Sequence, residues 1–327
     1  MTVPLSELLA TARVVSLPLA HRFRGISTRE AMLMRGPAGW TEFSPFVEYD
    51  DREAAAWLAA AIDFGWRETE LPAGAPKRIR VNATLPAVDA DRVGDVLARF
   101  PGCRTVKVKV AEAGQSLSED VDRVSMARDV LGPDGRIRVD ANGGWNLDEA
   151  EHAIHALAEF DLEYVEQPCA TVDELAQIRK RVKYMGIPIA ADESVRKAED
   201  PVAVARAKAA DILIIKAQPL GGIERALKII EDAGLPVVIS SALDTSVGLS
   251  MGAYLAASIP GVLSYDSGLA TAALLAADIT AMPLLPTDGA IDVRRIEVDS
   301  ALLDRHAANA QRTEWWMERL TRVHALL

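Results

Sequence analysis

The chain has 327 residues, of which half are hydrophobic and a quarter charged, and its formal net charge is −11. The length and composition suit one large α/β barrel with an appended domain. The sequence contains no Lys/Arg-rich run and no uncharged apolar stretch of 18 residues, which argues against nucleic-acid-binding and membrane proteins. Its first ten residues do not combine a basic segment with a long apolar core, so we do not expect a secretory signal. Cys103 and Cys169 lack metal-ligand spacing, so we expect free thiols and a cytoplasmic protein.

Residues 1–76 are predicted to form a small α+β domain. Segment 3–48 contains short β-like runs around the turn Gly36-Pro37 and has the pattern of a meander. Asp50 or Asp51 can cap a helix over 52–64, where apolar residues recur at helical spacing. The Pro/Gly-rich stretch 71–76 then indicates a domain boundary.

From residue 78, strand-like runs alternate with amphipathic segments. The candidate strands are 79–85, 105–110, 136–142, 164–167, 188–193, 212–218, 236–242 and 262–266, and helices are predicted at 121–131, 147–160, 171–182 and 221–233. Eight β/α repeats predict a parallel barrel over 77–269, with catalytic groups at the C-terminal ends of the strands. The alternative, an open doubly wound sheet, is disfavoured because no Gly-x-Gly-x-x-Gly follows a strand. We expect 270–327, with a β-like run at 290–298 and a helix from about 301, to pack on the N-terminal domain.

Charged residues follow the apolar runs at a regular interval. Asp140, Glu166, Asp192 and Lys216 are separated by 26, 26 and 24 residues, the length of a strand, a crossover helix and two loops. Three carboxylates from successive strands form an all-oxygen ligand set that suits a hard cation. The sequence therefore predicts a site for Mg²⁺, with Mn²⁺ as a possible substitute.

Three lysines accompany these acids. Lys107 and Lys109 share one face of a predicted strand, and Lys216 follows the sixth strand, on the other side of the acidic strands. A lysine buried beside a cation has a depressed pKa and can act as a base. The pattern indicates proton abstraction next to a carboxylate, through an enediolate that the metal stabilises. Each of these acids and lysines, taken alone, could instead be a capping or salt-bridge residue, and Lys107 could be a snorkelling charge. Glu193 is adjacent to Asp192 on the predicted strand and is therefore expected to point to the opposite face.

These residues resemble the motif set of the enolase superfamily, in its muconate-lactonizing-enzyme subgroup. The motifs are Lys107-Val-Lys109, Asp140-Ala-Asn142, Glu166-Gln-Pro168, Asp192-Glu-Ser194 and Lys216. The run 39–42 resembles the subgroup's capping-domain motif, although its third position is threonine where glycine is more usual. The resemblance covers nearly the whole chain and implies a modified TIM (β/α) barrel, enolase-like, beneath an α+β capping domain, with a lysine base and Mg²⁺.

Within the subgroup, the short chain, the shortened N-terminal domain and the runs 21–27, 42–46 and 239–249 resemble the o-succinylbenzoate synthase family. This resemblance implies syn dehydration of 2-succinyl-6-hydroxy-2,4-cyclohexadiene-1-carboxylate in menaquinone synthesis. Lys109 would act as base and then acid, and Lys216 as a stabilising cation. By this resemblance Arg138 and Asn142 would position the metal-bound carboxylate, and Ser240 would hold the succinyl end of the substrate. Lys107 is a further candidate for substrate binding. The loop 21–27 is expected to close over the site.

There are four alternatives to the synthase. A racemase of N-succinylamino acids or a cycloisomerase would use the same lysines and carboxylates. A dipeptide epimerase is disfavoured because Asp266 has no acidic partner two residues later. A non-catalytic barrel would be expected to lose a ligand or a lysine, and this chain retains them all. The expected partner is a small-molecule carboxylate, and the sequence does not indicate an oligomeric state.

Overall fold

A computed structural model describes residues 3–196 and 200–327. It begins with helix α1 (Leu5–Thr11) and an antiparallel sheet of β1 (Arg13–Phe23), β2 (Ile26–Gly36) and β3 (Gly39–Phe43), in that order. The predicted meander is confirmed over these strands. It is wrong before them, because Leu5, Leu8 and Leu9 recur at helical spacing and Leu8 is buried.

Helix α2 (Asp51–Trp66) completes the N-terminal unit. The side chain of Asp50 caps it by accepting a 2.8 Å hydrogen bond from the backbone N–H of Glu53. One face of the helix, including Trp57 and Leu58, is fully buried. The predicted helix is therefore confirmed, two residues longer at its end.

The rest of the chain forms alternating strands and helices. The strands are β4 (Arg78–Arg80), β5 (Ala83–Leu85), β6 (Thr105–Lys109), β7 (Arg136–Asp140), β8 (Leu162–Glu166), β9 (Ile189–Ala191), β10 (Ile212–Ile215), β11 (Val237–Ile239) and β12 (Ala290–Asp292). The helices are α3 (Val93–Leu97), α4 (Leu117–Leu131), α5 (Leu147–Leu157), α6 (Val172–Arg181), α7 (Glu193–Arg196), α8 (Ala203–Arg206), α9 (Ile223–Ala233), α10 (Ser246–Ser258), α11 (Ser300–Arg305) and α12 (Ala310–His324). Strands β5 to β11 form one parallel sheet in sequential order, while β4 pairs antiparallel with β12.

Closure of the barrel differs from the predicted eight strands. Residues 262–266 form no strand; Ser267 and Gly268 instead make isolated parallel bridges to Val81 and Ser240, on the two sides of the gap. Val262 at its start is 96% exposed, whereas Asp266 at its end is buried. The barrel predicted from the sequence is confirmed, with single bridges in place of its eighth strand.

Strand β10 (Ile212–Ile215) is apolar on both faces, as expected of a parallel strand covered by helices. All four residues of β10 are at most 1% exposed. Capping boxes start three of the surrounding helices: Ser116 with Glu119, Asn146 with Glu149, and Thr171 with Glu174. These caps fix the helix starts close behind the strand ends, so the loops that follow the charged strand ends are short.

The C-terminal segment lies against the N-terminal unit. Trp316 on α12 is fully buried, and its Nε1 donates to Glu30 Oε2 at 2.9 Å. Arg312 binds the same carboxylate at 2.6 Å, and Arg319 donates to the carbonyl of Tyr49 at 2.6 Å. The division of the chain at residues 76 and 269 stays a prediction. No helix in the described ranges is long and apolar enough to cross a membrane.

Replacing Trp316 with alanine should lower the free energy of unfolding by about 3–5 kcal/mol, because a fully buried aromatic side chain is lost. Trp315→Ala, a half-buried neighbour on the same helix, should cost about 1 kcal/mol. Urea unfolding of both variants measures the difference. Equal losses would show that α12 is not anchored through Trp316.

Candidate active site

A cavity lies at the C-terminal ends of the barrel strands, beneath the N-terminal unit. Phe23, Arg24, Phe46 and Tyr49 border it from above. From the barrel side it is bordered by Thr84, Lys107, Lys109, Asn142, Asp192, Glu193, Arg196, Lys216, Ser240, Ser241, Ala242, Leu243, Gly268 and Thr271. The three predicted lysines therefore meet in one enclosed space.

The three predicted carboxylates lie in register beside the lysines. Lys109 is paired with Asp140, and Asp140 with Glu166, across adjacent strands. Asp192 follows the next strand, β9. All three acids are at most 1% exposed. The sheet register thus places the acids side by side, as the regular spacing predicts.

Each lysine ammonium contacts one or two of these acids. Lys107 Nζ lies 3.0 Å from Asp140 Oδ2 and 2.8 Å from Glu166 Oε1. Lys109 Nζ lies 2.5 Å from Asp140 Oδ2, and Lys216 Nζ 2.5 Å from Asp192 Oδ2. Three acids and three lysines form a single buried cluster, which we call the charge cluster.

The cluster shifts the pKa values of its members in opposite directions. Burial raises the pKa of Glu166 to about 8, with help from the adjacent charge of Asp140. Burial also opposes ionisation of Asp140, but Lys107 and Lys109 hold its pKa well below the usual range. Burial lowers the pKa of Lys109, aided by the positive charge of Lys107 and opposed by Asp140. Lys107 keeps a pKa well above normal, because Asp140 and Glu166 outweigh its burial.

The donor set is compatible with a hard divalent cation. Glu166 Oε2 and Asp192 Oδ1 are buried and accept no hydrogen bond in the described part of the chain, although Arg196 Nε lies 3.3 Å from Asp192 Oδ1. A buried carboxylate oxygen without a donor, such as Glu166 Oε2, suits an oxygen-liganded metal. No group of three Asp, Glu, His or Cys side chains among residues 3–196 and 200–327 is arranged as a ready-made metal site. Lys107 Nζ stands between Asp140 and Glu166 instead.

Two loop residues hold the strand ends in place. Asn142 accepts a 2.6 Å hydrogen bond from Lys109 Nζ and donates to Glu193 Oε1 at 3.2 Å. Gln167 is fully buried, and its Oε1 accepts from the backbone N–H groups of Asp192 and Ser194. Both residues have positive φ, 47° and 39°, a conformation that costs energy in a residue other than glycine. These contacts keep the lysine and the carboxylate in defined positions.

Two other predicted site residues, Ser240 and Arg138, lie in different parts of the structure. Ser240 borders the cavity, as does Lys107. Arg138 lies within the barrel, where its guanidinium donates to Glu163, to Asn82 Oδ1 at 3.0 Å and to the carbonyl of Asp266 at 2.7 Å. The structure therefore does not bring Arg138 to the cavity.

Glu193 lies at the cavity, so the expectation that it points away is wrong. Strand β9 ends at Ala191 and helix α7 starts at Glu193, so the alternation of side chains along a strand no longer applies. Glu193 contacts Arg196 at 2.9 Å. Arg196 was not found from the sequence; its signal is the four-residue spacing from Asp192, which lies 3.3 Å away.

The loop 21–27 forms the hairpin end between β1 and β2. Arg24 borders the cavity, and its guanidinium lies 4.5 Å from the ring centroid of Phe46. Phe23, which sequence reasoning missed, places its ring 5.5 Å from Lys109 Nζ. An aromatic residue beside two arginines in a hairpin loop was the available signal.

Comparison with known proteins gives a consistent family. Residues 91–297 match the model described as enolase C-terminal domain-like, and 14–65 the one described as enolase N-terminal domain-like. An o-succinylbenzoate synthase of Thermobifida fusca is 54% identical over 90% of this chain and 90% of its own length. One from Mycolicibacterium smegmatis is 51% identical over 99% and 98%.

Solved structures show the same fold. A 2-chloromuconate cycloisomerase from Rhodococcus opacus aligns with a TM-score of 0.76 at 23% identity, over 91% of this chain and 98% of its own. A muconate lactonizing enzyme from Pseudomonas fluorescens, complexed with muconolactone, gives 0.76 at 19% identity over the same shares. At this identity the likeness concerns the fold alone.

Gln167→Met should lower the free energy of unfolding by about 2–4 kcal/mol, because the buried N–H groups of Asp192 and Ser194 lose their acceptor. The exposed Gln177→Met on α6 should change it by less than about 0.5 kcal/mol. Chemical denaturation compares the two. A neutral Gln167→Met would mean that the loop after β9 holds itself in place.

Proposed function

This chain belongs to the o-succinylbenzoate synthase family of the enolase superfamily, and from that membership we propose that it dehydrates 2-succinyl-6-hydroxy-2,4-cyclohexadiene-1-carboxylate to o-succinylbenzoate in menaquinone synthesis. It is then a carbon–oxygen lyase acting on a small-molecule carboxylate. The observation that carries the proposal is the pair Lys109 and Lys216, which border one cavity while bound to acids on different strands.

Lys109 is the proposed base. Its Nζ lies at the cavity wall, held by Asp140 and Asn142, so its position is fixed before substrate binds. It removes the proton next to the carboxylate and, as the resulting ammonium, donates it to the departing hydroxyl on the same face. This sequence accounts for a syn elimination with one residue as both base and acid. Aromatisation of the ring favours the products.

Lys216 is the proposed electrostatic partner. It borders the cavity from β10's side, and its ammonium is bound to Asp192. A fixed positive charge there stabilises the negative charge that develops on the substrate carboxylate after proton removal. Because it stays protonated throughout, dehydration needs only one proton-transferring lysine, whereas racemisation would need both.

Asp140, Glu166 and Asp192 are proposed to hold Mg²⁺, with Mn²⁺ as a substitute. The bound cation would supply Lewis-acid stabilisation of the substrate carboxylate. The support for this assignment is their position at the ends of adjacent strands and the buried oxygen Glu166 Oε2, which accepts no hydrogen bond in the described part of the chain. Lysine ammoniums now balance the charge of these acids, so part of the charge cluster must rearrange when a cation binds.

We propose further substrate contacts from the lining of the cavity. Lys107 and Asn142 lie on the side of the base and suit the reacting carboxylate, while Ser240 lies on the far wall and suits the succinyl end. Arg138 is proposed to support the barrel through its hydrogen bonds to Asn82 and to the carbonyl of Asp266, and not to contact the substrate. We place the reaction in the cytoplasm, because both cysteines are unpaired.

Lys109→Met keeps the aliphatic stem and removes the base, so dehydration should fall at least about 100-fold, the usual contribution of a general base. Ultraviolet absorbance of the aromatic product measures it, with Mg²⁺ present. Lys228→Met, at an exposed position on α9, is the control and should retain wild-type turnover. Near-normal turnover of Lys109→Met would remove it as the base.

A parallel incubation with an N-succinylamino acid in deuterium oxide tests the racemase alternative. Rapid exchange at the α carbon, without dehydration of the cyclohexadiene, would place the same two lysines in a racemase. Dehydration without such exchange supports the synthase.

Asp192→Asn should weaken Mg²⁺ binding, because a neutral amide replaces an anionic ligand. We expect Mg²⁺ to raise the melting temperature of the wild type and to have a smaller effect on the variant. Thermal unfolding with and without chelator measures this independently of turnover. The same metal-induced shift in both proteins would exclude Asp192 from the ligand set.

A further inference from the structure

A buried guanidinium from the N-terminal unit reaches the far wall of the cavity. Arg29 on β2 is 2% exposed, and its Nε donates to the backbone carbonyl of Leu243 at 3.0 Å. Its Nη2 lies 3.4 Å from the carbonyl of Ala242 and also donates to the carbonyl of Ser44. One side chain therefore ties the segment after β11 to the loop that follows β3.

The carbonyl that Arg29 binds belongs to a strained residue. Leu243 has φ 63°, in the left-handed region that residues with a Cβ avoid, although it is buried and borders the cavity. A conformation of this kind persists only where the surroundings impose it. The 3.0 Å hydrogen bond from Arg29 is such a constraint, and it comes from the other unit of the fold.

Arg29 also supports the upper wall. Its guanidinium carbon lies 4.3 Å from the ring centroid of Phe46, which borders the cavity. The same planar group therefore fixes Phe46 on one side and Leu243 on the other. A lysine could supply the charge, but neither the stacked plane nor the several directed donors.

Glu42 extends this link to helix α10. Its Oε2 accepts from Thr245 N at 3.1 Å, Thr245 Oγ1 at 2.5 Å and Gly248 N at 3.0 Å. Its Oε1 accepts from Ser44 Oγ at 2.5 Å, and that hydroxyl oxygen in turn accepts from Arg29 at 3.1 Å. A Cβ at position 248 would lie 2.9 Å from the Glu42 carboxyl carbon, so glycine permits this close approach. Segment 240–245 is thus held at Ala242, Leu243 and Thr245 by one buried network.

We propose that Arg29 is a positioning residue for the substrate cavity, holding segment 240–245 and Phe46 in the arrangement that binds the distal part of the substrate. The inference rests on the proposed function for the identity of that substrate. Arg29 itself does not border the cavity in the described structure, and it acts through Leu243 and Phe46. The distal wall of the cavity then forms when the N-terminal unit packs against the barrel.

The test compares Arg29→Lys with Arg35→Lys, an exposed position on the same strand. Hydrogen–deuterium exchange of peptides covering 240–245 requires no substrate. We expect faster exchange of this segment in Arg29→Lys and unchanged exchange in Arg35→Lys, with cooperative thermal unfolding in both. Unchanged exchange in Arg29→Lys would overturn the proposal.

Steady-state dehydration kinetics form the second arm. Arg29→Lys should raise KM by about 10- to 100-fold, the loss expected for one charged hydrogen bond, and change kcat less than about threefold. Faster exchange with an unaltered KM would overturn the assignment, because the segment would then not contribute to binding. Absence of dehydration in the wild type would refute the proposed function, while the exchange arm would still decide whether Arg29 holds the segment.

Ser44→Ala keeps the test decisive if Arg29→Lys fails to fold. It removes only the hydroxyl that joins Arg29 to Glu42. We expect a smaller increase in exchange over 240–245 and a smaller rise in KM. Wild-type exchange and KM in this variant, together with a misfolded Arg29→Lys, would show that Arg29 serves the fold alone.

Discussion

The site depends on charge balance at the buried end of a parallel sheet. Three carboxylates on neighbouring strands would repel one another strongly in an environment that water does not screen. The ammonium groups of Lys107, Lys109 and Lys216 compensate them at 2.5–3.0 Å. The strand register brings the acids together, so the lysines balance buried negative charge in addition to their proposed roles in the chemistry. A metal cation that binds there would meet carboxylates whose positions are already fixed by lysine ammonium groups.

The same balance distinguishes the lysines from one another. Lys107 contacts two acids and keeps a pKa well above normal, whereas burial and the charge of Lys107 lower the pKa of Lys109. The two residues stand two positions apart on β6, with side chains on one face. Because their partners differ, Lys107 is the more firmly protonated of the two lysines and Lys109 the more easily deprotonated, although both lie on one short strand. This division agrees with Lys109 as the proposed base and Lys107 as a charge that stays in place.

The sequence was sufficient for features that depend on local periodicity. An apolar run followed by a charge locates a strand end, so Asp140, Glu166 and Asp192 could be placed beside one another in advance. Alternation along a strand predicts the face on which a side chain lies, but not how deep in the barrel it lies. The sequence therefore did not show that Arg138, two residues before Asp140, lies inside the barrel. The orientation of Glu193 was predicted wrongly because helix α7, and not a strand, begins at that residue. Arg29 could not be found, because its partner Leu243 lies 214 residues away.

The walls of the cavity are positioned by buried polar groups that bind backbone. Arg123 on α4 donates to the carbonyl of Lys109 at 2.9 Å, and Gln167 accepts from the N–H of Asp192 at 3.0 Å. Arg29 binds the carbonyl of Leu243 in the same way. Each group holds one wall segment by its main chain and leaves the side chains of that segment free to contact substrate. Cavity-facing side chains such as Ser240 can therefore be replaced while the cavity keeps its shape, which suits a fold that also occurs in a 2-chloromuconate cycloisomerase.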